Sequence, residues 1–288
     1  MMTSSFSAKR RRKDRQFAGL CLAAVMTCLT ILVVLLIKLA LDGYRHLTWH
    51  FITSPLTVRA STTGILTPLL GSLAVMAVTA AVAIPVGVGA AVWLEEFNTR
   101  RTRLSSFIQL NISNLAGVPS IVYGILGLAI FVRWMALGLS ILSGGLTMSI
   151  LILPMVIIVS QEALRSVPSS YREGSLALGA TRWQTISRQV LPAATPGILT
   201  GVILSISRAL GETAPLIVVG AAGYVTFLPT KVWDRYGVLP LQIFNWSRNP
   251  NPAMTANAAS AILFLMILLL ALNSVAIWLR ARARQRRA

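Results

Sequence analysis

The sequence predicts an all-α integral membrane protein of six transmembrane helices, with a short helical hairpin on the cytoplasmic side between the fourth and fifth. Three observations lead there. Of 288 residues, 55% are hydrophobic and 12% charged, too few ionisable groups to clothe a soluble surface of that size. Six stretches reach the roughly 20 apolar residues needed to cross a hydrocarbon core, at about 17–41, 65–93, 107–132, 141–161, 193–222 and 256–279. The net charge of +18 is gathered at alternate ends of those stretches.

That charge pattern also decides between partners. Lys9, Arg10, Arg11, Arg12, Lys13 and Arg15 precede the first stretch; Arg100, Arg101 and Arg103 follow the second; Arg280, Arg282, Arg284, Arg286 and Arg287 follow the last. Such clusters are what the positive-inside rule produces, so both termini, the 94–106 loop and the 162–192 loop are expected in the cytoplasm. Nucleic acid is not an expected partner, whereas anionic membrane lipid is a compatible one. The expected organisation is a basic tail at 1–16, one transmembrane domain at 17–280 and a second basic tail at 281–288.

The first span is too long, and lacks the small-residue cleavage site, for a removable signal peptide, so it is read as retained. Cys21 and Cys28 lie inside it and carry no redox message. His46 and His50 follow in an outward loop without a third ligand type at metal spacing, so no metal site is expected. The second span, like the fifth, is long enough to tilt or kink.

The third span carries Ser113, Gly117, Ser120, Gly124 and Gly127 at spacings of 4, 3, 4 and 3. These small residues predict one smooth helix face, suited to close packing on a neighbour and also to lining a narrow gate. Pro119 removes the hydrogen bond to the Leu115 carbonyl and is expected to bend the span.

After the fourth span, the loop 162–192 reads as a rigid knob. Ser170 and Glu173 have the capping-box spacing, Gly179 supplies a left-handed residue that ends the helix, and Thr181 with Gln184 repeats the box. A second short helix is therefore expected to run to Pro192, where the fifth span starts.

The fifth span holds the costliest residues, Arg208 and Glu212, about a dozen residues in and so near the middle of the bilayer. Burying either charge costs at least about 2.5–3.5 kcal/mol. Spacing i, i+4 predicts that they share a helix face and partly neutralise each other, either as a packing ion pair or as part of a transport path. Gly211 and Pro215 predict a kink just beyond. In the outward loop before the sixth span, Trp233, Arg235 and Tyr236 are candidates for meeting an external partner or anchoring at the headgroups.

Three segments resemble a known family. The order Glu173-Gly-Ser, Gly179 and Leu191-Pro192 resembles the cytoplasmic coupling loop of binding-protein-dependent ABC importer permeases, in which an E-A-A…G…L-P pattern is found; here Gly174 and Ser175 replace the alanines. The run Asn114-Leu-Ala-Gly-Val-Pro-Ser-Ile-Val-Tyr-Gly-Ile-Leu-Gly127 and the run Arg208-Ala-Leu-Gly-Glu-Thr-Ala-Pro215 resemble permeases of phosphate-specific ABC importers. Together with the Asn114 run, Val238-Leu-Pro-Leu-Gln-Ile-Phe-Asn-Trp246 points to the PstA type. The resemblance covers about 64–280 and leaves the N-terminal tail unmatched.

The resemblance implies a type I ABC importer permease fold in the bacterial inner membrane and import of inorganic phosphate. The implied partners are a homologous second permease, two ATP-binding subunits carrying ATP and Mg, and an extracytoplasmic phosphate-binding protein. Arg172, Glu173, Gly179 and Ala180 would couple to the ATPase, and Arg208 with Glu212 would line the path. Asn114, Gly117, Pro119, Ser120 and Gly124 would serve gating or packing.

The chain itself is expected to be no enzyme. A Walker A motif needs Gly directly before its Lys, and Lys9, Lys13, Lys38 and Lys231 all lack one. Nor can a nucleophile, base and orienting residue be assembled. Open alternatives are a permease for another oxyanion (molybdate, sulfate or phosphonate), an autonomous secondary transporter or channel, and a regulatory membrane anchor. No inverted repeat favours the secondary transporter, and the anchor would have no use for an intramembrane Arg–Glu pair.

Overall fold

A computed structural model of the chain describes residues 3–98, 102–221 and 224–285, and the described residues form helices and connecting loops. Arg100, Arg101, Arg286 and Arg287 of the basic clusters lie outside the described residues. Among the described residues five helices are long and apolar enough to cross a bilayer, and a sharply bent pair brings the number to six when it is counted as one span.

Helix α1 (Thr3–Gly43) runs unbroken from the basic segment through the first apolar stretch. Its most apolar window holds no buried residue. The helix lies against α12 (Pro252–Gln285), and at its end the Ser260 hydroxyl donates to the Gly43 carbonyl at 2.8 Å. A Cβ on Gly43 would stand 2.7 Å from the Ala259 carbonyl oxygen, so the contact needs glycine. A short α2 (Trp49–Thr53) is capped by Thr48, whose hydroxyl accepts from the Phe51 amide.

The core is three helices: α3 (Leu66–Val92), α6 (Ile141–Arg165) and α9 (Leu191–Leu210). The pairing of α3 with α6 rests on small residues, as expected where lipid removes the ordinary hydrophobic drive between helices. Gly87 leaves room for Val156 and Gly145 for Val78; a Cβ at either would sit 2.5–2.7 Å from a valine carbon. Two buried hydroxyls complete the seam: Thr79 donates to the Gly145 carbonyl at 3.1 Å, and Ser149 to the Thr79 carbonyl at 3.3 Å. Helix α6 begins at a capping box in which Ser140 and Ser143 satisfy each other's backbone amides.

The third span departs from expectation. It is not one bent helix but two, α4 (Arg103–Leu115) and α5 (Ser120–Gly127, extended by a π-helical stretch Leu128–Trp134), set at 103° to each other. Pro119 occupies the cap position of α5 and cannot continue α4. The stranded Leu115 carbonyl is recovered by the Tyr123 hydroxyl at 2.8 Å and the Val118 amide at 3.1 Å. The small-residue stripe is therefore split. Gly124 and Gly127 pack closely on Pro215 and Thr147, whereas Gly117 and Ser120 sit at the corner.

The fifth span breaks too. Gly211 caps α9, Glu212 and Thr213 follow outside any helix, with the Glu212 amide turned back onto the Ala209 carbonyl, and the chain resumes as α10 (Ala214–Leu216) and a π-helical turn Ile217–Ala221. Arg208 and Glu212 consequently do not share a helix face, which corrects the i, i+4 expectation.

In the loop between the fourth and fifth spans, α7 (Ser169–Ala177) starts at Ser169 behind Pro168, with no side-chain cap. The Ser170–Glu173 box does not form, because Ser170 lies inside the helix it was expected to cap. Gly179 does adopt the left-handed conformation, at φ 82°. The Thr181–Gln184 box is present and opens α8 (Arg182–Thr185), but the short helix expected there runs on through a π-helical turn Ile186–Val190 directly into α9. The π-helical turn just before Pro192 accommodates the missing amide and the ring, so the proline does not divide them.

Helix α11 (Leu239–Ser247) packs with α2 and α12 in a smaller second cluster. The loop before it returns to α6, where the Asp234 and Val232 carbonyls accept from the Ile141 and Leu142 amides. The Asp234 carboxylate accepts from the Lys231 and Thr230 amides, each at 2.8 Å, which draws its pKa below the ordinary carboxylate value. Tyr236 is fully buried over Gly144 and offers nothing to an external partner, a correction to its grouping with the exposed Trp233 and Arg235.

Candidate functional site

Both breaks face one cavity. Its volume is about 350 Å³, and its walls are the α4–α5 corner (Leu115 to Ser120) with Tyr123, the α6 residues Leu151, Ile152 and Met155, and Ser205, Arg208, Ala209 and Glu212 at the end of α9. Non-helical backbone at membrane depth is tolerated where it lines a cavity or is covered by protein, and here both irregular segments meet that condition.

Within this cavity the chain assembles three electrical features. Arg208 is exposed and Glu212 half-buried, and no ion pair joins them; among the described residues the ion pairs are Arg165–Glu95 and Arg172–Glu96. The third feature is the start of α5, whose first amides lack helical acceptors and carry the positive end of the helix dipole. A guanidinium and a helix N-terminus lining one cavity favour an anion, and a carboxylate in the same lining moderates that attraction.

The expected site residues therefore divide. Gly117, Pro119, Ser120, Arg208 and Glu212 come together around the cavity. Asn114 stays outside it, exposed on the last turn of α4, where its carbonyl accepts from the Gly117 amide at 3.0 Å. Gly124 lies behind the wall, with the Pro215 backbone where a Cβ would be. Sequence reasoning missed Tyr123, which is buried and whose hydroxyl holds the corner; a tyrosine four residues past a proline in an apolar run was the available signal.

The second group lies at the end of the bundle that carries α7. Glu173 and Gly179 are exposed there, and Ala180 shares a shallow groove with Tyr171, Ser175, Leu178, Gln184, Arg188 and Gln189. Arg172 points inward instead. Its guanidinium bonds the buried Glu96 carboxylate through two nitrogens, the shortest contact being 2.6 Å, and donates to the Val167 and Leu164 carbonyls at 2.8 and 2.9 Å. The Glu96 bond raises the Arg172 pKa above its ordinary value, outweighing desolvation. Arg182 donates to the Glu96 backbone carbonyl and stands 5.5 Å over the Phe97 ring, which stacks at 6.4 Å with Trp183. Glu95, Glu96, Arg165 and Arg182 were not singled out from the sequence. Their signal was two adjacent acids among only eight in the chain, placed just before a basic cluster.

A third cavity of about 580 Å³ lies between these groups. Ser105, Ser106, Gln109 and Ser113 of α4 face Gln161 and Arg165 of α6 across it, and Gln109 and Gln161 exchange amide hydrogen bonds at 2.9 and 3.3 Å.

Residues 83–288 match the family model described as binding-protein-dependent transport system inner membrane component. Among curated relatives, the chain is 36% identical over 228 residues to the "Probable ABC transporter permease protein YqgI" of Bacillus subtilis, covering 78% of this chain and 76% of that protein. It is 34% identical over 253 residues to the phosphate transport system permease protein PstA of Mycobacterium leprae, covering 86% and 82%. Against PstA 1 of Mycobacterium tuberculosis (strain ATCC 25618 / H37Rv) the identity is 38% over 192 residues, covering 66% and 61%. Among solved structures, the fold is similar to a chain of a bacterial ABC transporter that imports the acidic polysaccharide alginate, with TM-score 0.59, 16% identity, and 95% and 98% of the two chains covered. A chain of the inward-facing MetNI methionine ABC transporter matches with TM-score 0.60 at 17% identity, covering 74% and 93%.

Proposed function

The chain belongs to the binding-protein-dependent transport system inner membrane components, the permease subunits of ABC importers, and from that premise we propose that it conducts inorganic phosphate into the cell. Its fold is that of the type I importer permeases. As a permease subunit it works with ATP-binding subunits and a partner permease; in our reading these are two nucleotide-binding subunits, a homologous second permease and an extracytoplasmic phosphate-binding protein.

The observation that carries the substrate reading is the cavity. Arg208 and the start of α5 offer positive potential to an oxyanion at the place where two broken spans meet, and Glu212 keeps the site from holding it. Broken helices whose ends face a cavity are how membrane proteins place backbone dipoles against a permeating ion. The relatives named as phosphate permeases favour phosphate over molybdate, sulfate or phosphonate. In the proposed orientation both termini and the α7 knob are cytoplasmic, as the basic clusters favour. Arg172, Glu173, Gly179 and Ala180 then belong to the coupling region. ATP-driven closure of the partner subunits would push on α7 and switch cavity access from outside to inside.

The test is radiolabelled phosphate uptake by the reassembled importer. Because Arg208 and Glu212 are not paired, neither single change strands a buried partner, so Arg208→Gln and Glu212→Gln are expected to leave subunit copurification intact. Arg208→Gln should abolish uptake, and Glu212→Gln should slow cycling more than initial binding. Normal phosphate uptake by Arg208→Gln, or uptake by the wild type of a different oxyanion alone, would overturn the reading.

A further inference from the structure

Helix α7 has no buried residue. Its fastening to the bundle is therefore not a packed face but a few polar contacts. One is the Ser175–Thr185 hydroxyl pair at 3.0 Å, which ties α7 only to its neighbour in the same loop. The other is Arg172, whose side chain reaches two different spans: Leu164 and Val167 at the end of α6, and Glu96 in the π-helical turn Trp93–Phe97 that continues α3.

We propose that Glu96 is a positioning residue for coupling, the joint through which movement of α7 is delivered to the second span as well as to the fourth and fifth. The proposal rests on the importer reading above and adds to it a residue and a direction of force. Glu96 is 7% exposed and meets Arg172 in a fork, a geometry that fixes angle as well as distance and that a flexible lysine would not reproduce. A second arginine of the same loop, Arg182, holds the Glu96 backbone, so both short helices of the knob grip one turn of α3. Glu95 adds a parallel tie by bonding Arg165 of α6 at 2.5 and 2.9 Å.

The pull has somewhere to go. Helices α3 and α6 interlock through Gly87, Gly145, Thr79 and Ser149, and α6 supplies Leu151, Ile152 and Met155 to the cavity wall. Close-packed interfaces shift between discrete arrangements and do not stretch, so a displacement at Glu96 carries the α3–α6 pair as a unit and moves the cavity wall past the α4–α5 corner.

Two readouts test this in the reconstituted importer with all partner subunits. The first is phosphate taken up per ATP hydrolysed. Glu96→Gln and Arg172→Gln should each lower it about fivefold or more, on the scale of an ordinary coupling energy. The double variant should be no worse than the poorer single one, since either change already opens the joint. Glu96→Asp, which keeps the charge, should retain most of the coupling. The second readout is the distance distribution between spin labels at Leu178 and Trp93, in a chain whose Cys21 and Cys28 are serine. It should be narrow in the parent and broad in Glu96→Gln, and it is read on the detergent-purified chain should that variant fail to assemble. Unchanged coupling in the single variants, multiplying effects in the double, or an unchanged distance distribution would each overturn the proposal. A parent complex that moves no phosphate would fail the substrate reading alone, because the label distances still judge the joint.

Discussion

Single residues carry this protein's turns and close approaches, and two of the glycines that do so, Gly179 and Gly124, act by different physics. Gly179 has nothing within 4 Å of where a Cβ would be, so its requirement is purely conformational, set by φ 82°. A β-branched residue there meets the left-handed penalty of about 1–2 kcal/mol, while asparagine tolerates the same region. Gly179→Val should thus weaken stimulation of ATP turnover in the assembled importer, and Gly179→Asn should preserve it. Equal stimulation in the two variants would show that the turn does not matter. Gly124 is the opposite case, a normal helical conformation pressed against Pro215, where a Cβ would lie 2.7 Å from backbone. Gly124→Ala should separate α5 from α10 at a cost of about 1–3 kcal/mol, the usual range for overpacking, seen as a lower melting temperature of the purified chain. A melting temperature at or above that of the parent would contradict this packing.

At the scale of elements, two transmembrane helices are broken, and the breaks are maintained by different devices. The α9–α10 break is backbone only: Gly211 ends one helix and Thr213 starts the next, its carbonyl accepting from Leu216 and Ile217. The α4–α5 break is held by Pro119, which forbids continuation, and by Tyr123, which satisfies the exposed Leu115 carbonyl. Gly117→Ala combined with Pro119→Ala removes both obstacles to a continuous helix and should straighten the span and close the cavity. A cysteine replacing Ser120, in a chain whose other cysteines are serine, should react with a water-soluble thiol reagent in the parent and lose that reactivity in the straightened variant. Persistent reactivity would mean that tertiary packing alone holds the corner open.

For the whole molecule, the proposed orientation puts both termini and the α7 knob in the cytoplasm. Reporter fusions after Arg101 and after Arg284 are expected to behave as cytoplasmic, and a fusion after Asp234 as external; an external signal at either of the first two would invert the proposed orientation. The orientation matters because it would place the polar 580 Å³ cavity, which lies along α4 and α6, on the cytoplasmic side of the Arg208 cavity. The apolar length of α1 has the same whole-molecule character, since none of its most apolar window is buried within this chain.

Much of this was legible in the sequence, for reasons that are local. Span count follows from runs of apolar residues, Gly179 from its place after a short capped helix, and the Thr181–Gln184 box from spacing alone, because each depends on neighbours within one or two turns. The family followed from motifs around Asn114, Glu173 and Arg208. What required the tertiary structure was every feature set by distant segments. Pro119 announced a bend, but its 103° depends on α5 finding Pro215 and Thr147. Gly211 ended α9 before Glu212, so an assumed helical spacing failed where the chain could satisfy its backbone around a cavity. The Ser170–Glu173 box gave way to a start at Ser169 behind Pro168. Arg172 looked outward in the sequence and turns inward in the fold, because its partner Glu96 stands 76 residues earlier. Spacing can report which residues share a turn; only the packed chain decides which charges meet.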